Sequence, residues 1–317
     1  MRITAAQQTE IQSLRNATHN TLRPTVPALE EVLFNVIPVL DHGFVRVVDY
    51  MGDDASIVQA ARVSYGRGTR KAHEDRGLIR YLLRHNHTTP FEMCEIKLHC
   101  KLPIFVARQW IRHRTANVNE YSARYSIMDR EFYIPDPNQM GVQSSANRQG
   151  RGKSLSNKRA RAILRMLRQD ASRCYDHYEE MLNVDRSGQP IDEKEPGLAR
   201  ELARINLTLS YYTQWYWKID LHNLFNFLGL RLDSHAQEEI RAYAKAIGDL
   251  TRRWVPNAWE AFRDYRVDAV RFSRAEREVL NAMLTGKTPD MNSSGLSKRE
   301  QEEFLRKVGE LPGKLHI

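Results

Sequence analysis

The chain has 317 residues, 41% of them hydrophobic and 27% charged, enough for one large domain or two ordinary ones and too apolar for wholesale disorder. Its 48 Lys and Arg outnumber its 39 Asp and Glu, a net charge of +9, so the balance favours an anionic partner: nucleic acid, anionic lipid or phosphorylated small molecules. Cys94, Cys100 and Cys174 form no CxxC pair and exclude a disulfide scaffold or zinc knuckle; no apolar run approaches the ~20 residues of a membrane helix, the N-terminus is polar, and a cytoplasmic location is expected.

In chain order, residues 1–34 read as an extension of polar helix and linker containing Pro24 and Pro27. The β-branched run Gly43 to Tyr50 predicts a strand. Asp54 to Ser64 predicts a helix with Asp53 or Asp54 as N-cap, and residues 75–85 another, with Leu78, Ile79, Leu82 and Leu83 on one side. Glu92 to Lys101 alternates like a strand, putting Cys94, Ile96, Leu98 and Cys100 on an apolar face. Pro103 is then placed to open a helix carrying IFVARQWIRHR. Residues 135–158 are rich in Pro, Gly, Ser, Asn and Gln and predict a long loop. Long helical patterns follow at 157–184, 196–218 and 235–264, with a shorter one at 220–231. Ser234/Gln237, Ser273/Glu276 and Ser297/Glu300 have the spacing of capping boxes. The whole is a mixed α/β (α+β) chain, with a small sheet in the N-terminal half and a mostly helical C-terminal half.

Three motifs do not hold. Gly150 to Ser154 ends like a phosphate-binding loop, but its first glycine would have to be Asn147 and no apolar strand precedes it. No GxGxxG follows a strand. His85 and His87 lack further ligands at metal-binding spacing. Nine Lys or Arg between Arg148 and Arg173 form a solvated helix face, an attracting mouth for phosphorylated substrates or a nucleic-acid surface; few aromatics interleave there, which counts against a single-strand platform.

The densest polar segment is Gln109 to Tyr125. On a continued helix, Gln109, Arg112 and His113 share a face. Beyond Asn119 the pattern turns to period two, with Glu120, Ser122 and Arg124 pointing one way. Arg112, His113 and Arg114 repel one another unless an anion lies nearby, so the segment offers guanidinium forks, a hydroxyl and a carboxylate to a polyfunctional anion. A charged helix end with an ordered loop is the structural alternative.

Arg112-His-Arg114, seven residues and then Ser122 resembles the RHR(x7)S signature of the flavin-dependent thymidylate synthases (ThyX). AARVSYG (Ala60 to Gly66), HTTPFE (His87 to Glu92), ARELARINLTLSYYTQWYWKID (Ala199 to Asp220) and LHNLFNFLGLRLDSHAQ (Leu221 to Gln237) resemble other segments of that family, in the expected order. The resemblance covers residues 43–265 and implies three regions: an N-terminal extension at 1–34, the synthase domain at 35–265 and a helical C-terminal extension at 266–317.

The resemblance implies conversion of dUMP to dTMP, with methylenetetrahydrofolate giving the carbon, NADPH the electrons and bound FAD the hydride, in a homotetramer with active sites between subunits. It implies flavin contacts at Ser64, His87, Thr89, Arg112, His113, Arg114, Glu120, His222 and Asn226. It places the nucleotide at Gln109, Ser122, Ala123, Arg124, Glu201, Arg204 and Arg231, with Arg204, Arg231 and Ser122 nearest the chemistry and no membrane or nucleic-acid partner. The residues support these roles: Arg124, Arg204 and Arg231 can fork onto a monophosphate or onto charge developing on the pyrimidine. Arg200 is a weaker candidate for the same field. Glu201 and Arg204, three apart on a helix, could grip one ligand or each other. His222 and Asn226 share a helical face among Leu224, Phe225, Phe227 and Leu228. No cysteine lies in the polar blocks, so a thiolate route is absent, and no local base activates Ser122, which favours binding for its hydroxyl. The competing readings are a flavoprotein acting on a different pyrimidine nucleotide and a basic nucleic-acid-binding module.

Overall fold

The computed structural model describes residues 4–63, 72–144, 150–185 and 187–309. Among the described residues, seven strands occur in chain order: β1 Ile37–Val39, β2 Gly43–Met51, β3 Glu95–Pro103, β4 Asn117–Glu120, β5 Gly141–Gln143, β6 Arg151–Ser154 and β7 Tyr212–Asp220. Five form one antiparallel sheet in the order β1-β2-β3-β7-β4, while β5 and β6 pair as a separate hairpin.

One sheet face is closed by apolar alternation. Val45 and Val47 of β2, Leu98 and Cys100 of β3, and Trp215 and Trp217 of β7 are buried, and register partners such as Cys100 and Trp215 share that face. The helix Glu238–Trp254 packs on the sheet with Ile240, Tyr243, Ala244, Ile247, Leu250 and Trp254 buried. Its approach explains Gly43: a Cβ there would lie 2.0 Å from the Tyr243 hydroxyl, which donates to the Lys101 carbonyl at 2.7 Å.

Two strands run directly into helices. β3 ends at Pro103 and the chain enters the helix Ile104–Trp110; β7 ends at Asp220, whose carboxylate caps the helix Leu221–Arg231 by accepting from Asn223 N at 2.9 Å. Because β3 and β7 are antiparallel, these helices start from opposite ends of the sheet and meet, with Trp110 stacked on Phe227 at 4.9 Å. A second apolar cluster joins the helix Asn157–Leu182, through Ala171, Tyr175, Tyr178 and Leu182, to Met128, Ala203 and Tyr211.

Contacts divide the chain into units Met1–Phe262 and Arg263–Ile317. In the second, the helices Arg274–Leu284 and Lys298–Gly309 enclose Val279, Leu296, Phe304 and Val308, and Lys307 Nζ reaches Glu276 Oε1 at 2.6 Å. The capping boxes read at Ser273/Glu276 and Ser297/Glu300 are both reciprocal.

Several elements differ from the sequence reading. Residues 196–218 are not one helix: a turn of helix at Arg200–Ala203 and a 3₁₀ turn at Arg204–Asn206 lead to β7, next to the middle of the sheet. Alternation of buried Trp215, Trp217 and Ile219 with Gln214, Tyr216 and Lys218 outweighs the helical spacing. The segment 135–158 carries the β5–β6 hairpin, where a loop was expected. The pattern at 235–264 breaks at Pro256 into Glu238–Trp254 and Pro256–Phe262, and Gln237 caps without a side-chain bond, so Ser234/Gln237 forms no box. Residues 92–94 precede β3, and Thr89–Glu92 is a short helix.

Candidate functional site

The meeting of the two helices builds the first cluster. The helix Ile104–Trp110 stops one residue past Gln109, so Arg112 and His113 leave in a turn and do not share the helical face expected for them. His113 N donates to the Trp110 carbonyl at 3.0 Å, turning the imidazole toward Phe227, whose ring it meets edge-on at 4.9 Å. Arg231, the last residue of the helix Leu221–Arg231, donates through Nε to His113 Nε2 at 3.0 Å. Burial, reinforced by the Arg231 charge, holds the His113 pKa down at about 4, so the ring is neutral and accepts at Nε2. Burial also draws the Arg231 guanidinium below its ordinary value. In the helix Ile104–Trp110, Gln109 keeps a buried Oε1 with no hydrogen-bond partner among the described residues, the kind of group that a ligand satisfies.

The second cluster is a turn. β4 ends at Glu120, whose Oε1 accepts from the buried Thr213 hydroxyl at 2.8 Å. Tyr125 N and Ser126 N both donate to the Ser122 carbonyl, at 3.0 and 3.1 Å, so the period-two reading of Ser122 and Arg124 gives way to a turn. Arg124 N reaches Ser122 Oγ at 3.3 Å, Arg124 Nε lies 3.5 Å from Glu201 Oε2, and Ala123 packs against the Tyr178 cluster. Arg200 Nη1 donates to the Tyr125 carbonyl at 2.7 Å, tying the turn to the 200–206 segment. Arg204 donates through Nε to the backbone oxygen of Glu201 at 3.3 Å, so the carboxylate of Glu201 faces Arg124 and not Arg204. Arg200 and Arg204 both lower the Tyr178 phenol against the burial that raises it.

Among the described residues, no hydrogen bond or ion pair joins the remaining candidates to these two clusters. His222 Nε2 lies 3.4 Å from Asn226 Nδ2 on the shared face predicted for them. His87 sits beside Tyr81, ring centroids 5.9 Å apart, and Thr89 opens the helix Thr89–Glu92. Arg112 and Arg114 are exposed and, among the described residues, have no acidic partner. Ser64 lies outside the described residues. Thr213 and Phe227 were not singled out from the sequence: Thr213 fell in the stretch read as helix, which hid its face, and Phe227 looked like one apolar residue among several. Three cavities of about 790, 630 and 630 Å³ are lined by no candidate residue, though Leu202 and Ile205, on either side of Arg204 in the 200–206 segment, line the third.

Known proteins resemble this chain over most of its length. The family described as "Thymidylate synthase complementing protein" matches residues 46–257. The flavin-dependent thymidylate synthase of Rickettsia typhi is 60% identical over 290 residues, covering 91% of this chain and 99% of that protein. That of Gluconobacter oxydans is 58% identical over 304 residues, 96% and 97% of the two chains. Among solved structures, the UMP/dUMP methylase PolB from Streptomyces cacaoi, bound with 5-Br UMP, superposes with a TM-score of 0.62 at 30% identity, over 73% of this chain and 98% of that one.

Proposed function

The chain belongs to the family of flavin-dependent thymidylate synthases, and from that premise we infer that it binds FAD, takes its carbon from methylenetetrahydrofolate and its electrons from NADPH, and converts dUMP to dTMP. It is a methyltransferase of dTMP synthesis.

The observation that carries the cofactor reading is a set of guanidinium forks without acidic partners among the described residues: Arg112, Arg114 and Arg204. A dinucleotide pyrophosphate and a nucleotide monophosphate are the anions such forks fit. Arg112 and Arg114 would hold the FAD phosphates, with His87, Thr89, His113, Glu120, His222, Asn226 and Ser64 around the cofactor. Bound and reduced, the flavin supplies the hydride. Arg124, Arg204 and Arg231 would take the phosphate and the charge developing on the pyrimidine. Gln109 Oε1 is the acceptor left for a donor of the nucleotide. The Ser122 hydroxyl oxygen accepts from Arg124 N, which leaves its proton and a second lone pair for substrate.

A thiolate has no place in this scheme. Burial pushes the Cys94 pKa to about 12 and that of Cys100 higher still. Cys174 lies mid-helix, where its carbonyl accepts from Asn206.

A shared site in a homotetramer is the second part of the proposal. Leu202, Ile205 and Leu209 are 50%, 75% and 63% exposed beside Arg204, an apolar edge that a second copy would cover. No described helix is long and apolar enough to cross a membrane, and the proposed location is the cytoplasm.

The test is the visible spectrum of the purified protein after incubation with FAD and desalting, then after dUMP, followed by dTMP formation with methylenetetrahydrofolate and NADPH. A retained spectrum that shifts with dUMP supports the reading; a colourless protein overturns it. Because the solved neighbour is a UMP/dUMP methylase, UMP is run in parallel, and methylation of UMP alone would replace dUMP as substrate.

A further inference from the structure

We propose that His113 is a positioning residue for Arg231: it fixes the direction of the guanidinium while leaving both its charge and its two terminal nitrogens to the nucleotide. The proposal rests on the reading of Arg231 as a nucleotide ligand.

The geometry is a rigid chain from core to charge. Trp110 is fully buried and packs against Trp215, Trp217, Phe227 and Tyr243 at centroid distances of 5.5, 5.1, 4.9 and 5.8 Å. Phe227 carries the edge of His113, and the Trp110 carbonyl holds its backbone. The imidazole is therefore locked by packing on one side and presents Nε2 to Arg231 Nε at 3.0 Å on the other. With Nε2 accepting, the ring proton sits on Nδ1, and the ring adds no charge of its own.

The choice of acceptor is what points to function. Among the described residues, Arg62 meets Asp75, Arg130 meets Asp176 and Arg241 meets Glu238, while Arg46, whose Nε also meets a neutral histidine, has Glu10 at 3.8 Å. A carboxylate at Arg231 would bind the fork bidentately and cancel its charge. Neutral His113 engages Nε alone. Arg231 has no acidic partner among the described residues, so the guanidinium is aimed and uncommitted, a state that costs stability in the free protein and is repaid only by an anionic ligand.

The experiment is a double-mutant cycle in the flavin-loaded protein, reading the dissociation constant of dUMP by calorimetry and flavin content by absorbance. His113→Phe keeps a ring against Phe227 and removes the acceptor; His113→Leu is run beside it in case the phenylalanine protein does not fold. Either is expected to weaken dUMP about tenfold or more in the flavin-loaded fraction. His113→Gln, which restores an acceptor oxygen, is expected to recover most of that loss. In an Arg231→Ala background, the same His113 changes are expected to move the constant less than about twofold, because the residue they act through is gone. An undiminished effect of His113→Phe in that background overturns the proposal while leaving Arg231 as a ligand. Normal dUMP binding by Arg231→Ala alone overturns the reading of Arg231 and the proposal with it.

Discussion

Arg46 donates through Nε to Nδ1 of His99 at 3.0 Å, across register partners of β2 and β3. His99 Nε2 lies 3.0 Å from Gln214 Oε1, and the ring stacks on Tyr216 at 4.9 Å. With Nδ1 accepting from Arg46, the proton is on Nε2 and the ring is neutral.

That neutrality makes stability depend on pH. Burial, and then the Arg46 charge, lower the His99 pKa to about 4 in the fold, while the unfolded chain titrates near 6.5. Between those values the unfolded state binds more protons, so this stabilisation is complete above about pH 6.5 and is lost as pH falls toward 4. The loss is at most about 3 kcal/mol for His99, and His113 acts with the same sign. Urea unfolding at steps from pH 7 to pH 4 should show the decline. His99→Gln should begin less stable and decline less steeply; an equal slope in the variant would locate the pH dependence elsewhere.

Glu239 is 1% exposed at the start of the helix Glu238–Trp254. It accepts from the Tyr133 hydroxyl at 3.0 Å and Gln237 Nε2 at 2.9 Å, and it pairs with Arg151 of the β5–β6 hairpin. Burial raises its pKa, but Arg151 and Gln237 together pull it below the ordinary value. Removing Arg151 leaves a buried carboxylate with two neutral donors. Arg151→Ala should cost about 2 to 4 kcal/mol in thermal or urea unfolding, less than the full cost of an orphaned charge because Arg151 is partly exposed. Adding Glu239→Gln should restore much of it. An Arg151→Ala protein as stable as the parent would show that the hairpin contributes nothing to this carboxylate.

The sequence brings out the polar residues of the candidate site, and the sheet only in part. Arg112, His113 and the residues of 120–125 stand out as types that suit an anion, the last with a period-two pattern where the fold has a turn, and Arg231 enters through the family resemblance. What could not be read was the route that joins them. β7 reads as helix in the sequence because Leu207, Tyr211, Tyr212 and Trp215 also fit a 3.6-residue repeat. Once β7 is a strand paired to β3, the two following helices must meet, and the His113–Arg231 contact follows. The early stop at Trp110 is likewise tertiary: Trp110 is fixed in the core, and the chain turns there to bring His113 against Phe227. The hairpin within 135–158 escaped notice because turn-forming residues dominate its composition while both its strands are three or four residues long.

Arg204 offers a clean separation of stability from binding. It is exposed, and among the described residues its side chain makes one hydrogen bond, to the Glu201 carbonyl. Arg204→Ala should leave unfolding within about 0.5 kcal/mol of the parent, as for an ordinary surface change. Loss of a charge-assisted contact to the nucleotide is worth roughly 1.5–3 kcal/mol, a weakening of dUMP by one to two orders of magnitude. Equilibrium dialysis against dUMP reads the second quantity and urea unfolding the first. A variant that unfolds early and binds normally would make Arg204 a structural residue.

Gln109 carries the opposite expectation for stability. Its Oε1 is buried without a partner in the free chain, and an unsatisfied buried acceptor costs roughly 1–3 kcal/mol. Gln109→Leu keeps the volume and removes that acceptor, so the variant should be as stable as the parent or more stable, by up to about 1 kcal/mol after imperfect repacking. The same change removes the acceptor assigned to the nucleotide, so dUMP should bind about tenfold more weakly. Melting temperature and dUMP affinity measured on one preparation test both arms together. Stability rising while affinity falls is the signature of a polar group kept unsatisfied for a ligand. A variant that loses stability and keeps its affinity would mean that Oε1 is satisfied in the folded chain and that Gln109 supports the 104–110 helix without touching substrate.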